Sequence, residues 1–149
     1  MALTPIEQAL EQILSDVGSI GAETIACADA LGRILAQNVV ASVNVPPLDN
    51  SAMDGYALRR EDVVLGKPLL LSQRIAAGEV GLPLKPGTAA RIFTGAPIPE
   101  NADAVIMQEQ VECVDDAIIP QREPKPREHI RAAGQDIREG DLLLSAGRK

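Results

Sequence analysis

Ile6, Leu10, Ile13, Leu14 and Val17 recur at helical spacing with Glu7, Gln8, Glu11, Gln12 and Asp16 around the other side, so the chain is predicted to begin with an amphipathic helix. Thr4-Pro5-Ile6-Glu7 supplies its start: a Thr4 hydroxyl to accept a backbone N–H, a proline suited to the first helical position, and Glu7 to close a capping box. Gly18 is the predicted stop. A short extended segment is expected from Glu23 to Cys27. The alanine- and leucine-rich run from Ala28 to Ala36 predicts a short helix interrupted near Gly32.

From Val39 onward the helical period disappears. Val39-Val40-Ala41, Tyr56-Ala57-Leu58, Leu69-Leu70-Leu71-Ser72, Ala89 to Phe93, Val105-Ile106-Met107, Val111 to Val114 and Ala117-Ile118-Ile119 are short apolar runs separated by turn residues, and each predicts a strand. Another strand is expected over Arg59 to Asp62, before the turn at Gly66-Lys67-Pro68. Asp115-Asp116 closes a hairpin, Lys85-Pro86-Gly87-Thr88 is a β-turn, and Arg138-Glu139-Gly140-Asp141 leads into Leu142-Leu143-Leu144 in the same way. Pro120, Pro124 and Pro126 make the following segment a loop. The pattern predicts a mainly β, α+β chain: an N-terminal helical portion, then an inserted lobe of short twisted strands.

Hydrophobic content of 46% and charged content of 23% over 149 residues are those of a soluble globular protein. No run approaches the ~20 apolar residues of a membrane span, and Met1 to Pro5 lacks the features of a signal peptide, so neither a membrane partner nor a compartment other than the cytoplasm is expected. A net charge of -7 argues against a nucleic-acid surface, and Tyr56 and Phe93 are the only aromatic residues. Cys27 and Cys113 are too far apart in sequence for a metal pair and are expected as buried free thiols. A lone His129 excludes a histidine-based zinc site and a Ser/His/Asp triad. Arg122, Lys125, Arg127 and Arg131, with His129 and against Glu123 and Glu128, form either a local landing place for an anion or ordinary solvated loop charge.

The densest chemistry lies between Pro46 and Ala57, where Asp49, Asn50, Ser51 and Asp54 fall within six positions. Pro46-Pro47 makes the approach a stiff, non-helical arm, and Gly55 is expected to let the chain turn sharply, leaving Asp54 at a loop tip. Oxygen side chains at this spacing bind a hard cation, orient a water or cap a turn, and the spacing does not choose among the three. Met53 and Asp54 stand where an EF-hand loop needs an oxygen ligand and its glycine, which excludes that motif, and neither carboxylate lies in an aspartic-protease setting.

Pro47-Leu48-Asp49-Asn50-Ser51-Ala52-Met53-Asp54-Gly55-Tyr56-Ala57 resembles the signature of the MoeA-type molybdopterin molybdenumtransferases, which include the E domain of gephyrin. Further matches follow in order: Gly32 to Ala36, Arg91 to Pro97, Ala104 to Glu109, Ile130-Arg131 and Gly134 to Ile137. The resemblance implies two lobes: one of residues 1–43 with 139–149, part of a dimerisation lobe, and an inserted β lobe of residues 44–138. It implies insertion of molybdate into molybdopterin, with adenylyl-molybdopterin hydrolysed in the presence of Mg2+ and AMP released. Asp54, Thr94 and Asp136 are then the expected catalytic residues, Asp54 also the metal ligand, and Asp49, Asn50, Ser51, Gly95 and Arg131 the expected substrate-binding residues. Thr94 would offer a hydroxyl and Gly95 a free backbone amide to an anion, while Arg131 would face phosphate. The blander readings are a turn at Thr94-Gly95 and a surface ion pair between Arg131 and Asp136.

The same resemblance implies a homodimer with a shared cleft, and contact with the molybdopterin adenylyltransferase. It covers only the front part of the family, whose pterin-binding domain lies further on, so the chain by itself is expected not to turn over. A non-catalytic dimerisation or interaction module of the same fold is the alternative. A metal-dependent phosphohydrolase using Asp49 and Asp54 is a third reading.

Overall fold

The computed structural model describes residues 4–18 and 20–149. The protein is mostly strands with one α-helix, and it divides into two compact units: the chain up to Val39 together with Leu144–Lys149, and Val40–Leu143.

In the first unit, α1 runs over Ile6–Ser15. Pro5, with φ -54° and ψ 147°, takes the cap position, and its carbonyl accepts from Ala9 N at 3.0 Å. The predicted capping box therefore does not form: with Pro5 as the cap, Glu7 stands one position too early to reach back, and no side chain caps the helix. The helix also stops before Gly18, at Asp16, where Val17 N turns back to Leu14 O at 3.2 Å. Leu10, the least exposed of the apolar stripe, is still 54% exposed. Between Glu23 and Ala36 there is neither the strand nor the helix predicted. Only a single 3-10 turn forms, Cys27–Asp29, and Gly32 at φ +81° takes a left-handed conformation that a helix cannot continue. The C-terminal tail lies along this unit, with Leu35 N donating to Arg148 O and Gly147 N to Leu35 O.

β1 (Val39–Val40) pairs with β10 (Leu142–Leu144). Between them in sequence come β2 (Asn50–Ser51), β3 (Gly55–Leu58), β4 (Leu69–Ile75), β5 (Thr88–Ile92), β6 (Ala104–Met107), β7 (Val111–Val114), β8 (Ala117–Pro120) and β9 (Ile130–Arg131). β2 pairs with β9, and the other six make one curled sheet in the order β6-β3-β5-β4-β8-β7. Neighbours are antiparallel except β4 and β5, which run parallel with a bulge between Leu71 and Gln73. Both faces are packed. Tyr56, Leu58, Ala89, Ile106 and Ile118 gather on one side, and Ala57, Ala90, Ile92, Ile75 and Val105 on the other. That double burial is why β3 reads as a continuous apolar run without alternation.

Arg59 to Asp62 is a 3-10 turn (Arg60–Asp62) instead of the predicted strand, because Arg60 N donates to Asp103 Oδ1 at 2.8 Å and Val63 N to Arg60 O at 3.1 Å. Both cysteines are exposed, contrary to the buried thiols expected. Cys113 lies on β7, an edge strand buried only at Val111, and its Sγ sits 3.3 Å from the Tyr56 hydroxyl.

Gly55 differs most from the sequence reading. It makes no sharp turn; it is a buried strand residue between Ile92 of β5 and Met107 of β6. A Cβ there would fall inside contact distance of the Ile106 carbonyl oxygen and only 2.9 Å from its carbon. Glycine is required by close approach of two backbones, not by φ.

Candidate functional site

Because β3 and β5 are antiparallel with Gly55 opposite Ile92, the residues just before β3 and just after β5 come together. Asp54 and Thr94 meet there. Thr94 N and Thr94 Oγ1 both donate to Asp54 Oδ1 at 2.8 Å. These two bonds, the backbone one first, hold the exposed Asp54 carboxyl below the usual carboxylate range, helped by the charge of Arg91. Oδ2 has no donor among the described residues, and the residue is exposed. An open surface hollow of about 460 Å³ lies here, lined by Met53, Asp54, Met107, Gln108 and Glu109. Arg91 braces it, donating to Gly55 O at 2.9 Å and to Gln108 Oε1 at 2.6 Å.

The neighbouring substrate-binding expectations fare differently. Gly95 does not offer a free amide: its N–H donates to Ser51 O at 2.8 Å. Ala96 N donates to Phe93 O at 2.9 Å, and Gly95 at φ +83° fills the third position of that type II turn. Ser51 is 1% exposed and donates its hydroxyl to Met53 O at 2.6 Å, so it shapes the loop from inside. Asn50 is half-buried, and its Oδ1 has no hydrogen-bond partner.

Asp49 is a clasp. One oxygen accepts from Ala133 N and the other from Arg127 Nη2, each at 2.8 Å. The Ala133 N–H is the main cause of its lowered pKa, opposed by desolvation and aided by Arg127. Asp49→Asn replaces one acceptor by a donor facing Arg127, and is expected to cost about 1 kcal/mol of stability, the worth of one ordinary hydrogen bond plus a partly exposed ion pair. A lower urea midpoint at unchanged slope is the expected reading; an unshifted midpoint contradicts the clasp.

Asp136 and Arg131 pair with each other, Nη2 to Oδ2 at 2.6 Å, and no hydrogen bond or ion pair joins either to Asp54. The basic segment is likewise not an open cationic patch. Arg122 holds Glu128 at 2.7 Å, Arg127 holds Asp49, and Arg131 holds Asp136. Arg122 is the first cause that lowers the Glu128 carboxyl from 4.5 to about 2. A folded-state pKa below the unfolded one means that this contribution to stability is complete above about pH 4.5 and lost as the pH falls toward 2. Glu128→Gln is expected to flatten the acid-side decline of the urea midpoint. Parallel wild-type and variant curves between about pH 6 and pH 3 would count against it.

Arg91 and Gln108 lay inside matched motifs but received no role from the sequence. A signal existed for Arg91: it is the one charged residue in the apolar run Ala89 to Phe93. Among the described residues, no group of three or more His, Cys, Asp or Glu side chains is placed to hold a metal. No described helix is long and apolar enough to cross a membrane.

The family model described as the MoeA N-terminal region (domain I and II) matches residues 4–149. A molybdopterin molybdenumtransferase from Haemophilus influenzae is 45% identical over 121 residues, covering 80% of this chain and 30% of the relative. Molybdopterin molybdenumtransferase 2 from Mycobacterium tuberculosis is 38% identical over 131 residues, covering 84% and 32%. A crystal structure of a molybdopterin biosynthesis MoeA protein from Pyrococcus horikoshii superposes with a TM-score of 0.86 at 37% identity, over 97% of this chain and 38% of that one. The chain thus spans about a third of the length of the relatives it matches. By the reach of the family model and the agreement in fold, the chain belongs to the MoeA N-terminal region family.

Proposed function

We propose that this chain is the part of a molybdopterin molybdenumtransferase that presents an ionised carboxylate to the reaction in which molybdate enters molybdopterin, adenylyl-molybdopterin is hydrolysed and AMP leaves. The names of the relatives support the reaction class. The observation that carries the reading is Asp54: held by both Thr94 donors through one oxygen, with the other oxygen free beside an open hollow.

In this hydrolysis, a water oxygen attacks the adenylyl phosphorus and the bond to the bridging oxygen breaks. AMP departs, and the bridging oxygen stays with the pterin phosphate. A carboxylate with a depressed pKa is a weak proton acceptor and a steady hydrogen-bond acceptor, so Asp54 orients the attacking water through Oδ2 instead of removing its proton outright. The same oxygen fits Mg2+ as a single hard ligand, since this ion commonly takes one or two carboxylates and completes its shell with water and phosphate oxygens. When bound, Mg2+ would neutralise phosphate charge. Arg131, steadied by Asp136, keeps further N–H groups for a phosphate oxygen. Asp136 is then a positioning residue, while Asp49, Asn50 and Ser51 set the loop.

The exposed stripe of α1 supports the homodimer, with the first lobe contributing to its contact. The molybdopterin adenylyltransferase would supply the substrate, in the cytoplasm. That same stripe favours a second reading, a non-catalytic interaction module. Molybdenum insertion by the full-length protein carrying Asp54→Asn separates them: loss of insertion with the fold kept supports the catalytic reading, and retained insertion leaves the module.

A further inference from the structure

We propose that Arg74, Arg91 and Phe93 form a subsite for a tetrahedral oxyanion. Parallel pairing of β4 and β5 sets Arg74 beside Arg91, and antiparallel pairing of β3 and β5 sets Tyr56 on its other side. The Arg74 guanidinium carbon lies 4.5 Å from the Phe93 ring centroid, and that of Arg91 lies 4.6 Å from the same centroid and 5.1 Å from the Tyr56 centroid. The two aromatic residues of the chain are therefore both spent on two guanidiniums.

Arg59, Arg60, Arg122, Arg127 and Arg131 of the same unit each pair with a carboxylate. Arg74 and Arg91 form no salt bridge among the described residues, although the charge of Arg91 also acts on the Asp54 carboxylate. Two like charges gathered at one ring repel each other, and an anion bound beside them offsets that repulsion. Their roles differ. Arg91 is fixed by its bonds to Gly55 O and Gln108 Oε1, so its charge is pre-positioned. Arg74 is exposed, and its N–H groups meet no protein acceptor among the described residues, which leaves its planar fork for two oxygens of a ligand. Thr94 follows Phe93 directly, so the subsite lies next to the Asp54 carboxylate without using it.

Free molybdate and a phosphate ester share this chemistry. The subsite shares Arg91 with the surroundings of Asp54, but its test reads anion binding and needs no transferase activity. Isotope-labelled residues 1–149 at low ionic strength, titrated separately with inorganic phosphate, molybdate and AMP and followed by NMR, test it. Saturable shifts are expected at the amides of Arg74, Arg91, Phe93 and Thr94 and at the arginine Nε–H signals for at least one probe, and the tightest probe tells free ion from ester. Arg74→Gln is expected to weaken that probe about tenfold, as loss of a charged hydrogen-bonding partner does. Arg74→Lys, which keeps the charge but loses the fork, is expected to fall between. Arg138→Gln, removing another arginine without a carboxylate partner, should leave affinity unchanged. No saturable shift up to about 10 mM of any probe, or equal weakening by Arg74→Gln and Arg138→Gln, overturns the proposal. Each variant's own amide spectrum reports whether it has folded.

Discussion

Gly55→Ala is expected to unfold residues 40–143 or to lower their stability by about 3 kcal/mol or more, at the upper end of what overpacking a core costs. A methyl group at this position meets the backbone carbonyl of Ile106, with Met107 Cα 3.1 Å away. Backbone cannot rotate aside as a flexible side chain can. β3 is held between β5 and β6 and is buried along its whole length, so relief requires moving paired strands. Propensity alone points the other way, since alanine ordinarily gains about 0.5–1 kcal/mol over glycine inside an element. The sign of the effect therefore discriminates. Gly18→Ala, where nothing lies within 4 Å of the added carbon, is the control and should be close to neutral. Urea unfolding measures both, and a Gly55→Ala midpoint equal to that of the wild type would refute the close-approach argument. Against a typical total stability of about 5–15 kcal/mol, the expected loss is a large share.

Asp54→Asn is expected to lower molybdenum insertion by the full-length protein about 10²–10³-fold, comparable with removing one preorganised electrostatic partner from an active site. Its urea midpoint should stay close to that of the wild type, because the side chain is exposed and the amide oxygen can still accept from Thr94. What changes is the oxygen that Thr94 does not hold. An acceptor becomes a donor, which neither holds a water hydrogen nor coordinates a cation. Thr94→Val gives the complementary reading: it removes the Oγ1 donor but keeps the N–H, so the Asp54 carboxyl rises toward its ordinary range. The acid limb of the pH–rate profile should then move to higher pH. Full activity in Asp54→Asn, or an unmoved limb in Thr94→Val, would remove Asp54 from the chemistry.

Most strands of the six-stranded sheet, the hairpin at Asp115-Asp116 and the helix at Ile6 were legible because each is a local pattern. The strands expected at Glu23 to Cys27 and Arg59 to Asp62 did not form, and the two-residue β2 and β9 were not foreseen. Family and fold class were legible from the matched motifs, above all the stretch from Pro47 to Ala57. Partners were not. Asp54 meets Thr94 across 40 positions and Asp49 meets Ala133 across 84, and such pairings depend on sheet register, which no local window contains. Gly55 was misread for the same reason, since its constraint comes from Ile106 on another strand. The capping box failed differently: Pro5, which has no side-chain acceptor, itself occupies the cap, so Thr4 and Glu7 fall out of the register that the motif needs. The basic segment looked like a patch because its acidic partners Asp49 and Asp136 lie outside it in sequence.

The Asp49 clasp also sets an order of events during synthesis. Its partner Ala133 is 84 positions later, so at about 5–20 residues per second the ribosome takes roughly 4–17 s to deliver the N–H that Asp49 accepts. Through that interval β2 has no β9 to pair with, and Ser51 gains Gly95 well before the clasp closes. The Asp49 end of the loop is thus made early and secured last, after Thr94 has become available to Asp54.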